Sequence, residues 1–279
     1  MPRKIGFHAS ISGGPHKALL AARDLGCSAV QIFSTSPRRA LSAKQASLKE
    51  IDSWETTKGA IPAIFPILHF SYLINPVNPK TFSNGLSTQE ALTFEFKRAV
   101  QLGVDQIILH PGSTKDTPLA FVETLSSTLG YSLSESGYQG QILLENQSGA
   151  GNQICANPSI LTQVVDRLRK QFRANNIGVC LDTCHLFSAG YDLRTSIDLL
   201  QIAHDLPVDL VHVIHLNDAK NEVGKPERHE EIGKGKIGLE ALAQIIKIFP
   251  DATLISETPA CLDIPKMSQE LELIRRISS

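Results

Sequence analysis

Short runs of β-branched and aliphatic residues recur along the chain, each followed by a polar or glycine-containing break and then a longer stretch with apolar positions at helical spacing. The runs predict strands at Lys4–His8, Ala29–Phe33, Ile64–His69, Gln106–His110, Gln141–Glu145, Gly178–Asp182, Val211–Leu216 and Thr253–Glu257. Between them lie helix candidates such as Ser87–Leu102 and Ser159–Phe172; in the first, Leu92, Phe96 and Val100 would form the buried face. Strands alternating with helices through short links predict a parallel sheet. Continuous apolar stretches such as Ile107-Ile108-Leu109 and Ile142-Leu143-Leu144 suit strands covered on both faces. About eight such units predict a closed (β/α)₈ TIM barrel. An open doubly wound sheet is the rival, but no GxGxxG follows the first strand and there is no P-loop.

Composition adds boundaries to this picture. A chain of 279 residues, 42% hydrophobic, can bury one large core, and no low-complexity linker divides it, so a single domain over 1–279 is expected. With 27 basic and 28 acidic residues it carries no global basic field, so a polyanionic partner would have to be held by a local patch or by bound metal. Residues 1–10 lack a long apolar segment and no run approaches the roughly 20 residues that cross a bilayer, which predicts a soluble cytoplasmic protein without a membrane partner. The five scattered cysteines, none in a CxxC pair, read as reduced and mostly buried thiols.

The candidate chemistry lies at the strand ends. His69, His110, Glu145, Asp182, His215 and Glu257 each close a predicted apolar run; His185 follows Asp182 in Asp-Thr-Cys-His, and the loop after His215 adds Asp218, Glu227 and His229. In a barrel these ends converge on one rim. Any one histidine alone reads as a hydrogen-bonded structural residue. Several carboxylates and imidazoles buried together would carry a large desolvation cost unless cations neutralised them. Imidazole and carboxylate donors without thiolates suit catalytic zinc or manganese, and the groups suffice for more than one ion. Clusters of such ions serve phosphoester hydrolysis.

The strings HASISGG from His8, HFSYLINP from His69, HPGS from His110, LENQSGAGNQ from Leu144, CLDTCHLFSAGYDLRT from Cys180, HLND from His215, ERHEEIGKGKIG from Glu227 and SETP from Ser256 closely resemble the endonuclease IV family. These are zinc-dependent apurinic/apyrimidinic endonucleases, and the likeness runs in order over nearly the whole chain. The resemblance implies a monomeric TIM barrel holding three zinc ions, with manganese an alternative at one position. His69, His110 and Glu145 would hold the first ion; Glu145 would bridge to a second held by Asp182, His215 and Glu257; His185, Glu227 and His229 would hold the third. It implies cleavage of double-stranded DNA on the 5′ side of an abasic site, leaving a 3′-hydroxyl and a 5′-deoxyribose phosphate, together with trimming of blocked 3′ ends in base excision repair. Glu145 and Glu257 would be the catalytic carboxylates.

Matching to the family's DNA-penetrating loops makes Arg38, Tyr72 and Leu73 the DNA-binding candidates; a Tyr-Leu pair is commonly core, but this one follows His69 in a polar loop. Arg38, Arg39, Lys220, Lys225, Arg228, Lys234 and Lys236 fall in loops after strands and are candidates for phosphate contact, with ordinary solvated surface charge the alternative. Two positions depart from the family. Glu227 stands where an aspartate is usual, after a loop one residue shorter, and Phe70 stands where many relatives carry a polar or small residue. Of the remaining histidines, His8 would line the pocket, while His16, His204 and His212 read as structural. The rival functions are a metal-dependent sugar isomerase or epimerase on the same fold, and a damaged-DNA-binding protein without turnover.

Overall fold

The computed structural model of the protein describes residues 2–35, 45–82, 85–172 and 176–279. Eight parallel strands close a barrel: β1 (Ile5–His8), β2 (Ala29–Phe33), β3 (Phe65–His69), β4 (Gln106–Leu109), β5 (Gln141–Glu145), β6 (Ile177–Asp182), β7 (Val211–His215) and β10 (Thr253–Ser256), the last pairing with both β7 and β1. Two short antiparallel segments, β8 (Asp218–Ala219) and β9 (His229–Glu230), form a separate ribbon above the β7 end. Around the barrel run α1 (His16–Asp24), α2 (Leu48–Ala60), α3 (Thr88–Gln101), α4 (Pro118–Ser136), α5 (Pro158–Gln171), α6 (Thr183–Ser188), α7 (Ser196–Asp205), α8 (Leu239–Ile248) and α9 (Ile264–Ile277). Among the described residues, no helix is long and apolar enough to cross a membrane.

The apolar continuity of the strands reflects two separate cores. Side chains pointing into the barrel, Ala29, Ile67, Ile108, Leu143, Cys180, Val213 and Ile255, form an inner layer. Their neighbours along each strand, including Val30, Leu68, Ile107, Leu144, Val179 and Ile214, point outward and pack beneath the helices in a much larger cluster. Because successive residues alternate between these cores, both faces of every strand must be apolar.

Local chemistry sets the helix boundaries. Before α3, the Ser87 hydroxyl accepts from the Glu90 N–H at 3.2 Å while the Glu90 carboxylate accepts from the Ser87 N–H at 2.8 Å, a reciprocal cap on two otherwise orphaned donors. Proline occupies the first turn of both α4 and α5, where its missing N–H costs nothing. The helical face predicted for α3 needs one correction: Leu92 and Phe96 are buried, but Val100 is 47% exposed and Ala99 takes its place in the core. Successive steps of four overshoot the helical repeat, so the third such position rotates off the face whereas a step of seven from Leu92 stays on it.

The same helix braces both ends of the connection between β2 and α2. Glu95 is fully buried and accepts a hydrogen bond from the Ser34 hydroxyl; Arg98 donates to the Ser34 carbonyl at 2.6 Å and to the Glu50 carboxylate at 2.7 Å. Burial pushes the Glu95 carboxyl up to about 7 despite the hydroxyl and Arg98. Ser34 follows β2, so this bracing holds the chain just where it leaves the barrel beside β3.

Candidate metal centre

The barrel register brings the strand ends together. Phe33 is level with His69, and Asp182 with His215, so the residues closing β3, β6 and β7 rise from one rim. Glu145 ends β5 almost without solvent exposure and is the hub: its Oε2 lies 2.9 Å from His69 Nε2 and 3.0 Å from His110 Nε2, and its Oε1 lies 3.2 Å from both His185 Nδ1 and His215 Nδ1. Glu257 Oε2 reaches His215 Nδ1 at 3.1 Å, and Asp182 Oδ2 lies 3.9 Å from the same nitrogen and 3.7 Å from His229 Nε2. Glu227 extends from its loop to place Oε1 3.1 Å from His185 Nε2 and 3.6 Å from His229 Nε2. Among the described residues three overlapping sets have donor atoms close enough to share an ion: His69, Glu145 and His215; Glu145, Asp182, His215 and Glu257; and Asp182, His185 and His229.

The donor set fits metal for reasons beyond proximity. His215 Nδ1 and His229 Nε2 are buried atoms with no hydrogen-bond partner, although carboxylate oxygens surround both. Groups that converge on a point without bonding one another are arranged for a cation between them. Four of the five imidazoles are also turned by their second nitrogen: His69 Nδ1 donates to the Phe70 carbonyl at 2.7 Å, His185 Nδ1 to the Asn146 carbonyl at 2.8 Å, His229 Nδ1 to the Glu257 carbonyl at 3.2 Å and His215 Nε2 to Gln31 Oε1 at 2.8 Å. Such outer hydrogen bonds fix the tautomer and aim the free nitrogen at the ion.

Electrostatics point the same way. Burial alone would raise the Glu145 carboxyl, but His110 and His215 hold it well below the ordinary range. Burial likewise raises Glu257 and Glu227; nearby imidazoles overcome it, bringing Glu257 far down and Glu227 to about 2. In turn burial would lower His185 and His215, yet the groups beside them, Asp182, Glu145 and Glu227 for the first and Cys180, Glu257 and Glu145 for the second, raise both well above the usual imidazole value. The cluster holds an excess of negative charge that protons relieve when no metal does.

Every histidine and carboxylate anticipated at the rim lies in this cluster, with one exception. Asp218 does not, because its two oxygens accept from the backbone N–H groups of Ala219, Gly233, Gly235, Ile237 and Gly238. Asn146, Asn217 and Gln31, which orient the side chains of the cluster, lie outside the anticipated set, and His8, expected only to line the pocket, joins them. Asn146 exchanges hydrogen bonds with the Asp182 backbone, and Asn217 donates to Asp182 Oδ2 at 2.7 Å while accepting from the Glu257 N–H at 2.9 Å. Gln31 and His8 both contact Glu257 Oε1. Their signal was position: Asn146 and Asn217 follow Glu145 and His215 by one and two residues, His8 ends β1, and Gln31 is a polar residue in the middle of the otherwise apolar β2.

Phe70, the other departure, contributes its carbonyl to His69 while its ring packs edge-on against Phe96, 5.0 Å away in the core. The substitution therefore lies behind His69 and leaves its backbone hydrogen bond in place. Tyr72 and Leu73 are 55% and 40% exposed beside the rim; Arg38 and Arg39 lie outside the described residues. Lys220, Lys225, Arg228, Lys234 and Lys236 are all exposed. Lys234 pairs with Glu231 and Lys236 with Glu222, whereas Lys220, Lys225 and Arg228 enter no ion pair among the described residues. A cavity of about 1080 Å³ opens beside the cluster, with His8, Phe33, His229, Glu257 and Leu262 in its wall. Cys27, Cys155, Cys180 and Cys184 are buried and Cys261 half-buried, all as free thiols.

The family model of the xylose isomerase-like TIM barrel matches residues 19–277. The chain is 34% identical to the probable endonuclease 4 of Halothermothrix orenii over 98% of its own length and 99% of that protein's, and 36% identical to the probable endonuclease 4 of Chlorobium phaeobacteroides over 98% and 97%. Among solved structures, endonuclease IV from Thermus thermophilus superposes with a TM-score of 0.82 at 28% identity, covering 99% of this chain and 98% of that one. A D-tagatose 3-epimerase-like protein superposes with a TM-score of 0.69 at 18% identity over 99% of this chain and 100% of that one, a likeness of fold alone.

Proposed function

The chain belongs to the endonuclease IV family of xylose isomerase-like TIM barrels, and from that premise we propose that it is a metal-dependent DNA-repair endonuclease. Its reaction is hydrolysis of the phosphodiester on the 5′ side of an abasic site, leaving a 3′-hydroxyl and a 5′-deoxyribose phosphate, and it also clears blocked 3′ ends. The observation that carries this reading is the rim cluster itself, in which Glu145 reaches four imidazoles and buried nitrogens of His215 and His229 are left for a cation. Three zinc ions account for the donors: one with His69, His110 and Glu145, one with Glu145, Asp182, His215 and Glu257, and one with His185, Glu227 and His229, where manganese is an alternative at one position. The longer stem of Glu227 makes up for its shorter loop, as its 3.1 Å approach to His185 supports.

Zinc held there would supply Lewis acidity at the phosphate oxygens and lower the pKa of water towards neutrality. The protein's own part is orientation. Glu145 and Glu257 present carboxylate oxygens that can align the attacking water and take its proton, and His8 and Gln31 fix the position of Glu257. Arg38 and the exposed Tyr72 and Leu73 occupy the space left when the damaged nucleotide leaves the stack. The whole chain works as one domain and as a monomer. The deciding assay incubates metal-loaded protein with a duplex carrying one abasic site and with an undamaged duplex. Nicking at the lesion alone, with a 3′-hydroxyl, is expected; binding without nicking would make it a damage-binding module, and inertness towards both would return the sugar isomerase reading.

Charge pairing separates the loop cations. Lys220, Lys225 and Arg228, free of carboxylate partners among the described residues, are the ones to engage DNA phosphates, whereas Lys234 and Lys236 are already neutralised. Replacing the first three with alanine should flatten the dependence of log affinity on log salt by about one unit for each phosphate no longer engaged. Replacing Lys234 and Lys236 should change it far less. Abasic-duplex binding followed between low and moderate salt measures both, and equal effects from the two sets would remove the distinction.

A further inference from the structure

Asp218 is a buried carboxylate at the rim that takes no part in the metal cluster. Its Oδ1 accepts from the N–H groups of Ala219 at 2.8 Å, Ile237 at 2.9 Å and Gly238 at 3.3 Å, and its Oδ2 from those of Gly233 and Gly235, both at 3.0 Å. The chain wraps closely enough that a Cβ on Gly235 would meet Asp218 Oδ1 at 2.4 Å and the Ala219 carbonyl at 2.5 Å. In the ribbon, Asp218 stands opposite Glu230 and Ala219 opposite His229. A second buried carboxylate, Glu270 of α9, closes the other side: it accepts from the Ile232 N–H at 2.9 Å and from the Ser256 and Thr258 hydroxyls at 2.6 and 2.7 Å, on either side of Glu257. The segment bearing Glu227 and His229 is thus gripped immediately afterwards by side chains whose positions come from the barrel.

We propose that Asp218 is a positioning residue for the metal centre: by gathering the backbone of 233–238 it presents Glu227 and His229 before an ion arrives. Glu227 needs such help more than the other ligands, being the most exposed of them and borne on a loop rather than on a strand end. Ordering that loop only on binding would subtract its entropy from the affinity of the ion it holds. The proposal rests on the reading of Glu227 and His229 as ligands, and it predicts selectivity: disturbing Asp218 should weaken the ion nearest Glu227 and spare those gathered around Glu145.

The test uses full-length protein stripped of metal and titrated with zinc against a competing chelator. In Asp218→Asn, whichever way the amide turns, its Nδ2 faces two or three N–H groups that had an acceptor. The weakest zinc equivalent should then lose about ten- to a hundredfold in affinity, the range for an outer partner of a ligand, while the tighter equivalents hold. Glu227→Ala must weaken the same equivalent. Hydrogen exchange of the 232–238 amides, slow in metal-free wild type, should become fast in Asp218→Asn. If that variant does not fold, Gly235→Ala disturbs the cradle from the loop side and carries the same expectation. Unchanged zinc binding in a folded variant, equal weakening of every equivalent, or effects of Asp218→Asn and Glu227→Ala on different equivalents would each overturn the proposal. Zinc binding needs no DNA, so wild type that takes up zinc but nicks no abasic duplex would defeat the proposed activity and leave this inference standing; wild type that takes up no zinc would overturn it.

Discussion

Glu145→Ala should lower nicking at an abasic site by at least about a thousandfold while the barrel stays folded. Four imidazoles gather on this one carboxylate: its two oxygens lie within 3.2 Å of nitrogens on His69, His110, His185 and His215. Removing it takes away the anion that joins the parts of the site, and the loss of even one preorganised electrostatic group in an active site costs on the order of 10²–10³ in rate. The fold should survive because the β5 backbone keeps its pairing with β4 and β6, and the inner and outer apolar layers around Leu143 and Leu144 are untouched. Imidazoles left without their carboxylate can shed their protons instead of remaining as buried unpaired charge. Single-turnover cleavage measured beside circular dichroism separates the two effects. Glu145→Gln refines the result: it keeps the shape and loses the charge, so activity near that of the alanine variant would mean that charge is what the site needs. Near-native turnover in either variant would sink the proposed mechanism.

How much of this site could be read from the residues depends on what each position had to satisfy. The barrel was legible because burial on both faces leaves a strand no choice but a short apolar run, and every predicted strand agrees with an observed one to within a residue at either end. The rim cluster was legible because a histidine or carboxylate closes one apolar run after another. Asn146 and Asn217 were harder to see, since an amide beside a strand end has the composition of any loop, and the purpose of Gln31 within β2, like the contact His8 makes from the pocket wall, appears only when Glu257 is in place. Asp218 misled for a related reason. A carboxylate amid ligands looks like a ligand, and its five backbone donors come from a segment whose course no periodicity reveals. Val100 failed more simply, through the drift between steps of four and the true helical repeat.

Stripping the metal should make the protein's stability, and its affinity for zinc, depend steeply on pH above about 6.5. Without metal, burial works against charge on His185 and His215, but Asp182 and Glu145 beside the first, and Cys180, Glu257 and Glu145 beside the second, raise both well above the ordinary imidazole value. A raised folded value stabilises the protein below the unfolded value of about 6.5, and that contribution is lost as pH climbs through the folded value. The depressed carboxyls of Glu145, Glu257 and Glu227 act in the opposite sense, stabilising above about 4.5 and failing only as pH falls through their folded values. Metal-free protein should therefore be at its best between about pH 4.5 and 6.5 as far as this cluster decides, and should lose stability towards pH 9 as protons leave and buried carboxylates face one another. Zinc replaces those protons, so loaded protein should show little of this decline. By the same linkage, zinc affinity should rise about tenfold per pH unit for each imidazole proton displaced, and adding zinc to weakly buffered apoprotein at pH 7 should release protons. Thermal melts of both forms from pH 5 to 9, with proton release recorded during titration, test the two halves together. Parallel melting profiles and no released protons would show that the imidazoles are neutral in the metal-free site, contrary to the protonated state that the surrounding carboxylates favour.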